Sequence, residues 1–291
     1  MVARLVILGG GFAGSALARL AIAAGFEVAA TTRSEARAVA LRSIGATALR
    51  LELLDPGGAR TLAAAVDPTV RVLIAFPPDG ETDRALAPIA ARARASVYIS
   101  STGIYGQARG RVDEDTPVDP NAPRAAVRIA AEKLWRDAGA AVVRAPAIYG
   151  PGRGLHLRLA RGEVRLAQDE SNVISRIHVD DLAAALLALL RREARATYVI
   201  GDDAPSPHAE VVRWLCRRMQ LPEPPRAEAH EVDDTLRSDR RVDPSRLRRE
   251  LGIAPVYPTY REGFAQCLRV DAAVIGAVLR QRGVRARDGA P

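Results

Sequence analysis

Val6-Ile7-Leu8-Gly9-Gly10-Gly11-Phe12-Ala13-Gly14 places a G-x-G-x-x-G pattern directly after a short apolar run and directly before an Ala-rich stretch with helical spacing. In that context each glycine has its own task. Gly9 permits a tight turn, Gly11 lets the backbone approach a pyrophosphate, and Gly14 lets a helix pack closely on a strand. The helix N-terminus then offers unpaired N–H groups and a partial positive charge to the phosphates, with Phe12 and Ala13 among the contacting residues. The bland alternative is a glycine-rich turn with no ligand, and the position between strand and helix weighs against it.

Outward from this loop, apolar runs at Arg4–Leu8, Glu27–Thr31, Thr47–Leu51, Val70–Ala75, Ser96–Ser100 and Ala140–Arg144 alternate with helical stretches such as Gly14–Ala24 and Ser34–Ser43. Gly25 and Gly45 close those two helices. The alternation predicts an α/β fold, a doubly wound parallel sheet of the NAD(P)-binding Rossmann type over residues 1–150. Beyond Gly150, Asn172–Val179 reads as a strand, Asp181–Arg192 as a helix opening on an acidic cap, and Ala196–Ile200 as a seventh strand. Residues 151–285 are expected to complete the sheet and form a small C-terminal substrate-binding cap, and 286–291 to be a disordered tail.

The end of the second strand reads Thr31-Thr32-Arg33-Ser34. NAD-selective sites carry Asp or Glu there, for the ribose hydroxyls. A guanidinium between the hydroxyls of Thr32 and Ser34 favours a 2′-phosphate instead, hence NADP over NAD; the alternative is an ordinary surface arginine. Phe76-Pro77-Pro78, after the fourth strand, would line the nicotinamide side of the cleft or merely form a rigid turn.

Three further segments follow in order: Tyr98-Ile-Ser-Ser101-Thr102-Gly-Ile-Tyr105-Gly106, Arg144-Ala-Pro-Ala-Ile-Tyr149-Gly-Pro-Gly-Arg153, and Arg176-Ile-His178-Val-Asp180-Asp181-Leu-Ala183. With Leu251-Gly-Ile and Tyr257-Pro-Thr-Tyr260-Arg-Glu-Gly263 they resemble the extended short-chain dehydrogenase/reductase family, its NAD(P)-dependent epimerase/dehydratase group. The resemblance implies that Ser101 polarises a substrate carbonyl or carbinol, and that a Tyr-x-x-x-Lys pair follows about two dozen residues later. The matching stretch instead carries Arg124 and Arg128. Lys133 is the sole lysine and Ile129 stands four residues before it, so the chain has no Tyr-x-x-x-Lys at all. Arg128 could still donate to the cofactor ribose, but Arg124 cannot exchange protons near neutral pH. The departure resembles the family's atypical branch.

Two functions remain open from the residues. One is an NADP(H)-dependent oxidoreductase or epimerase-like enzyme for a small carbonyl or hydroxyl compound. There Ser101 and Thr102 orient the substrate, Tyr105 or a water moves the proton, and Arg124 holds an anionic group or oxyanion. The other is a non-catalytic NADP(H)-binding regulator or interaction protein. For Tyr105 packing against the cofactor loop stands with equal weight beside proton transfer, and His178 reads as a hydrogen-bonded core histidine. Arg153, His156, Arg158 and Arg161 would face an acidic substrate group, unless they are a solvated basic face.

The chain has 291 residues, with 42 basic and 34 acidic side chains, and all but one of the basic ones are arginine. The net charge of +8 sits in interleaved runs such as Arg237-Ser-Asp239-Arg240-Arg241-Val-Asp243, and aromatics make up only 4%, so a nucleic-acid partner is not expected. Met1–Leu8 has a charge before an apolar run, but Gly9–Gly11 break it too early for a secretory signal. No apolar run reaches the ~18 residues of a membrane span. Two cysteines, Cys216 and Cys267, fit a reducing compartment, so a cytoplasmic location is expected. No His/Cys/Asp spacing points to a metal. The resemblance implies a homodimer.

Overall fold

The structure, a computed structural model, describes residues 2–122, 125–168, 170–227 and 239–284. Its centre is one parallel sheet of seven strands: β1 (Arg4–Leu8), β2 (Glu27–Thr32), β3 (Thr47–Arg50), β4 (Val70–Ile74), β5 (Ala95–Ser101), β6 (Ala141–Ala145) and β7 (Thr197–Val199). In space they run β7-β6-β5-β4-β1-β2-β3. The chain winds outward from β1 to β3, crosses back to β4, and winds the other way. That reversal leaves a crevice beyond the carboxyl ends of β1 and β4, where doubly wound sheets bind ligands. All seven strands expected from the sequence are present; the central ones are buried on both faces and read as nearly continuous apolar runs, while the edge strand β3 is only partly covered.

Helices cover both faces. On one side α1 (Phe12–Ala23) packs against the sheet, and α2 (Glu35–Ser43) adds Leu41 to the same core. On the other, α3 (Pro56–Ala65), α4 (Glu81–Ala90) and α5 (Ala125–Asp137) bury Leu62, Leu86 and Trp135 against Val72 and Tyr98. After β6 come α6 (Leu155–Arg161) and α7 (Val179–Arg192), whose Leu182 and Leu186 join Leu17 of α1. So the segment after residue 150 supplies both a sheet strand and a covering helix.

The cap is formed by α6 with α8 (His208–Met219), α10 (Tyr260–Val270) and α11 (Ala272–Gln281), while α9 (Ser245–Leu251) packs beside β7. Its own core joins Tyr149, Leu159, Val211, Leu215 and Phe264. Short strands tie it to the first half: Arg240–Val242 runs parallel to Gly110–Val112, and Arg176–His178 runs parallel to Ala147–Tyr149.

Two expectations change in detail. The strand expected over Asn172–Val179 is two strands, Val173–Ile174 and Arg176–His178, split at Ser175. The Ser175 hydroxyl donates to the Arg240 carbonyl and accepts from the Val242 N–H, substituting for ladder bonds at the break. The helix begins at Val179, not Asp181, and its cap is His178, whose Nδ1 accepts from the Asp180 N–H at 3.3 Å. The acidic pair lies in the first turn, and Asp181 accepts from the backbone of Val256 and Tyr257. The expected tail at 286–291 lies outside the described residues. No helix among the described residues is long and apolar enough to cross a membrane.

Candidate functional site

The glycine loop has the geometry its spacing requires. Gly9 has φ +108°, and a Cβ there would lie 2.9 Å from the Ala75 backbone. A Cβ on Gly14 would overlap the carbonyl oxygen of Gly9 and press on Ile7. Gly11, the residue before α1, is open: only the Arg37 guanidinium comes near. The Thr31 hydroxyl accepts from the Gly9 N–H at 2.9 Å and holds the loop against β2. Together they leave a cleft of about 430 Å³ lined by Gly9, Gly11, Thr32, Arg33, Arg37, Phe76 and Pro77, with Glu52 and Asp79 on its wall.

Of the expected cofactor residues, Phe12, Ala13, Gly14, Ser34, Pro78 and Arg128 do not line this cleft. Ser34 instead caps α2 by accepting from the Arg37 N–H, and its own N–H donates to the Thr32 hydroxyl. These contacts fix the turn that presents Arg33. Phe12 and Ala13 begin α1, and Phe76 packs edge-on against Trp135. Neither Arg33 nor Arg37 has an acidic partner among the described residues, since Glu35 pairs with Arg42 and Arg50. Asp79 is engaged in capping α4 through the N–H and hydroxyl of Thr82, both at 2.7 Å.

Ser101 ends β5 beside Ala145 of β6. Its hydroxyl oxygen accepts from the Gly103 N–H at 3.1 Å, which leaves its proton free to donate. Thr102 is buried, and neither Ser101 nor Thr102 lines the glycine-loop cleft or the second cleft beyond β6. Tyr105 is a correction to the proton-transfer reading. It is 1% exposed, its hydroxyl donates to the Asp113 carbonyl at 2.6 Å, and it accepts from Arg144 Nη1 at 3.0 Å. Burial pushes the phenol up to about 12, so the residue packs and does not titrate.

Arg144 also grips Glu132 of α5 through Nε and Nη2, and Glu132 accepts from the Ser100 hydroxyl at 2.5 Å. This buried set joins α5 to the ends of β5 and β6. Arg128, one turn before Glu132, is half-buried; its charge opposes the strong rise that burial imposes on Tyr98, whose hydroxyl has no partner. Arg124 lies outside the described residues.

A second cleft, about 390 Å³, opens beyond β6. It is lined by Tyr149, Arg153, Arg158, Arg161, Arg176 and His208, with Leu155 and Phe264 as apolar wall. Arg153 also sits over the Phe12 ring, 5.4 Å from its centroid, so one residue of the second cleft reaches the start of α1, next to Gly11 of the first. His156, expected with the arginines, is not in the cleft. It is fully buried with Nε2 2.8 Å from Asp271, since the side chain turns toward α11 rather than the opening. His178 is buried and bonded to Gln266, as a core histidine.

Residues 5–201 match the sequence profile of the NAD dependent epimerase/dehydratase family, more than half of the chain. The chain belongs to this family. A 3-diazoavenalumate denitrifying reductase from a Streptomyces species is 31% identical over 178 residues, 53% of this chain and 58% of that protein. The chain spans a little over half the length of the curated relatives it matches. A conserved protein of unknown function from Silicibacter pomeroyi is 31% identical, covers 92% of this chain and 98% of its own, and superposes with a TM-score of 0.78. The dTDP-glucose 4,6-dehydratase DesIV from Streptomyces venezuelae, solved with NAD bound, shares the fold at 20% identity over 94% of this chain and 98% of its own, with a TM-score of 0.79.

Within this family member, sequence reasoning overlooked Arg37, Glu132 and the Arg176–His208 pair. Arg37 had a signal, being one helical turn from Arg33 at the start of α2. Arg176 also had one, as a charge inside an otherwise apolar strand. Glu132 and His208 had none, because their partners come from distant elements.

Proposed function

We propose that the protein is an NADP(H)-dependent oxidoreductase or epimerase-like enzyme acting on a small anionic carbonyl or hydroxyl compound. The observation that carries this is a pair of basic clefts. The first is shaped by the glycine loop and carries Arg33 and Arg37, with no acidic partner among the described residues; the second carries Arg153, which sits over Phe12 at the start of the helix that follows the loop. Its volume is at the small end of the roughly 300–1,000 Å³ typical of small-molecule sites, which favours a compact substrate.

The glycine cradle fits a dinucleotide, because the two glycines that close it admit no side chain and the middle one is open. Gly9, Gly11 and the first turn of α1 would hold the pyrophosphate, and Thr32, Arg33 and Arg37 the 2′-phosphate. When bound, the nicotinamide supplies hydride transfer. Arg128 would contribute a fixed positive charge near the ribose. Ser101 donates its free proton toward the substrate oxygen, and with Tyr105 locked, water is the carrier that exchanges protons with solvent.

A second, basic cleft favours this reading over a cofactor-binding regulator, which would need no such space. The test is a panel of small carbonyl and hydroxyl acids with NADP(H). Turnover is expected in the wild type, with kcat falling about 100-fold or more in Ser101→Ala and cofactor affinity unchanged. NADPH should bind more tightly than NADH by fluorescence titration, with most of the difference lost in Arg33→Ala. Equal affinities reject the NADP assignment. No turnover anywhere, together with a cofactor-dependent partner interaction, selects the regulator.

A further inference from the structure

The base of the second cleft is built from buried polar groups whose hydrogen-bonding capacity is only partly used. Arg176 is 5% exposed, and among the described residues no carboxylate forms an ion pair with it. Its guanidinium donates only to the carbonyls of Ile174, at 2.7 Å, and Ser206, at 3.4 Å, and faces His208 Nδ1 at 3.5 Å. A buried cation is normally paired, because desolvation without a counter-charge is costly. With no carboxylate at ion-pairing distance among the described residues, the guanidinium can take a counter-charge from whatever occupies the cleft.

His208 sharpens the point. Arginine has no lone pair to offer, so the contact requires Nδ1 to be the acceptor and puts the imidazole proton on Nε2. That Nε2 is buried and has no partner. Burial and the neighbouring Arg176 and Arg158 hold the imidazole down to about 3, so it stays neutral. The Tyr149 hydroxyl is also buried without a partner, and burial keeps it protonated. Both residues line the cleft with Arg176. The acid whose charge Arg176 feels most, Asp202, is 2% exposed with one oxygen unpartnered, and burial pushes it up to about 7. It does not form an ion pair with Arg176.

Resting on the reading of this cleft as the substrate site, we propose that its base is a carboxylate-binding site. Arg176, the Nε2–H of His208 and the hydroxyl of Tyr149 receive the carboxylate of a small acid whose apolar body lies against Leu155, Ile174 and Phe264. One full positive charge and two neutral donors match a monoanion. A dianionic phosphate at the same depth would leave a negative charge uncompensated, and the remaining arginines of the cleft, Arg153, Arg158 and Arg161, are exposed at its mouth.

The test is calorimetric titration of the full-length protein, with and without NADP+, using straight-chain acids from acetate to hexanoate and 3-phenylpropanoate, each beside its neutral amide. Each acid that binds should do so at least tenfold more tightly than its amide. Arg176→Gln should erase that ratio, and Tyr149→Phe should reduce it severalfold, with NADPH affinity unchanged in both. If Arg176→Gln does not fold, the wild-type acid-to-amide ratio and Tyr149→Phe still decide. Equal binding of acid and amide, no saturable binding of any acid, retained discrimination in Arg176→Gln or an undiminished ratio in Tyr149→Phe overturns the proposal. So does inorganic phosphate or UDP displacing the acid and binding more tightly. Acid binding without turnover would sink the enzyme reading and leave the site standing; turnover without acid preference would do the reverse.

Discussion

The two clefts are similar in volume but differ in what they are made of. The glycine-loop cleft is built around backbone, a turn at positive φ and the strand ends at 31–33 and 75–77, with 51–54, Asp79 and Thr82 completing its wall. The second cleft is made of side chains from Tyr149, Arg176, His208 and Phe264, which come from four different elements. A backbone site depends on which side chains are absent, and a side-chain site on which are present and unpaired. The first therefore responds to added atoms and the second to removed charge.

The strand ends between the clefts offer the most severe way to disturb both. Glu132→Ala strands Arg144 in the interior, and removing one partner of a buried pair costs about 3–5 kcal/mol. A large fall in the urea midpoint is expected, with weaker ligand binding in both clefts. An unchanged midpoint would show that the Glu132–Arg144–Tyr105 set does not hold the strand ends.

Gly14→Val separates the clefts instead. Its side chain must displace the Gly9 carbonyl, so cofactor affinity should drop about 100-fold or more, roughly 2.7 kcal/mol, while acid binding in the second cleft persists. Loss of both in a folded variant would mean the sites are not independent. A smaller change follows from Arg37→Ala. Removing one charge-assisted contact should weaken NADPH by about tenfold and leave NADH nearly untouched, read from paired titrations.

The subtlest effect is on pH. Asp202 has a folded-state value near 7, above the ordinary carboxylate value, so its contribution to stability falls as pH rises from about 4 to 7. His208 has a folded-state value near 3, below the ordinary imidazole value, so its contribution falls as pH drops from about 6.5 to 3. Around them stand Arg176, Arg158, Asp203 and Arg248. In the wild type the two slopes oppose each other. Melting curves of Asp202→Asn should show stability rising from pH 4 to 6.5 relative to wild type, and those of His208→Gln should show it falling. Identical pH profiles in all three proteins would remove this part of the comparison.

The same division explains what could be read in advance. The central strands were legible because double burial demands apolar runs, and the glycine loop because its turn excludes Cβ atoms at fixed spacing. Thr32, Arg33 and Phe76 were found through their places at strand ends. Tyr105 was not, since a tyrosine after a serine strand end reads the same whether its hydroxyl faces a substrate or the Asp113 carbonyl. His156 misled for a similar reason: its neighbours Arg153 and Arg158 do line the cleft, but the helix turns it toward Asp271.

By itself, then, the sequence determined the sheet, the cofactor loop and the absence of any Tyr-x-x-x-Lys pair, all of which are local in the chain. Only the tertiary structure decided which polar groups are buried with partners and which without. Arg144 and Arg176 are both arginines in apolar strands. One is neutralised by Glu132 from a helix twelve residues earlier, and the other is left facing an open cleft. Pairing of charge depends on distance in space, and spacing along the chain does not encode it.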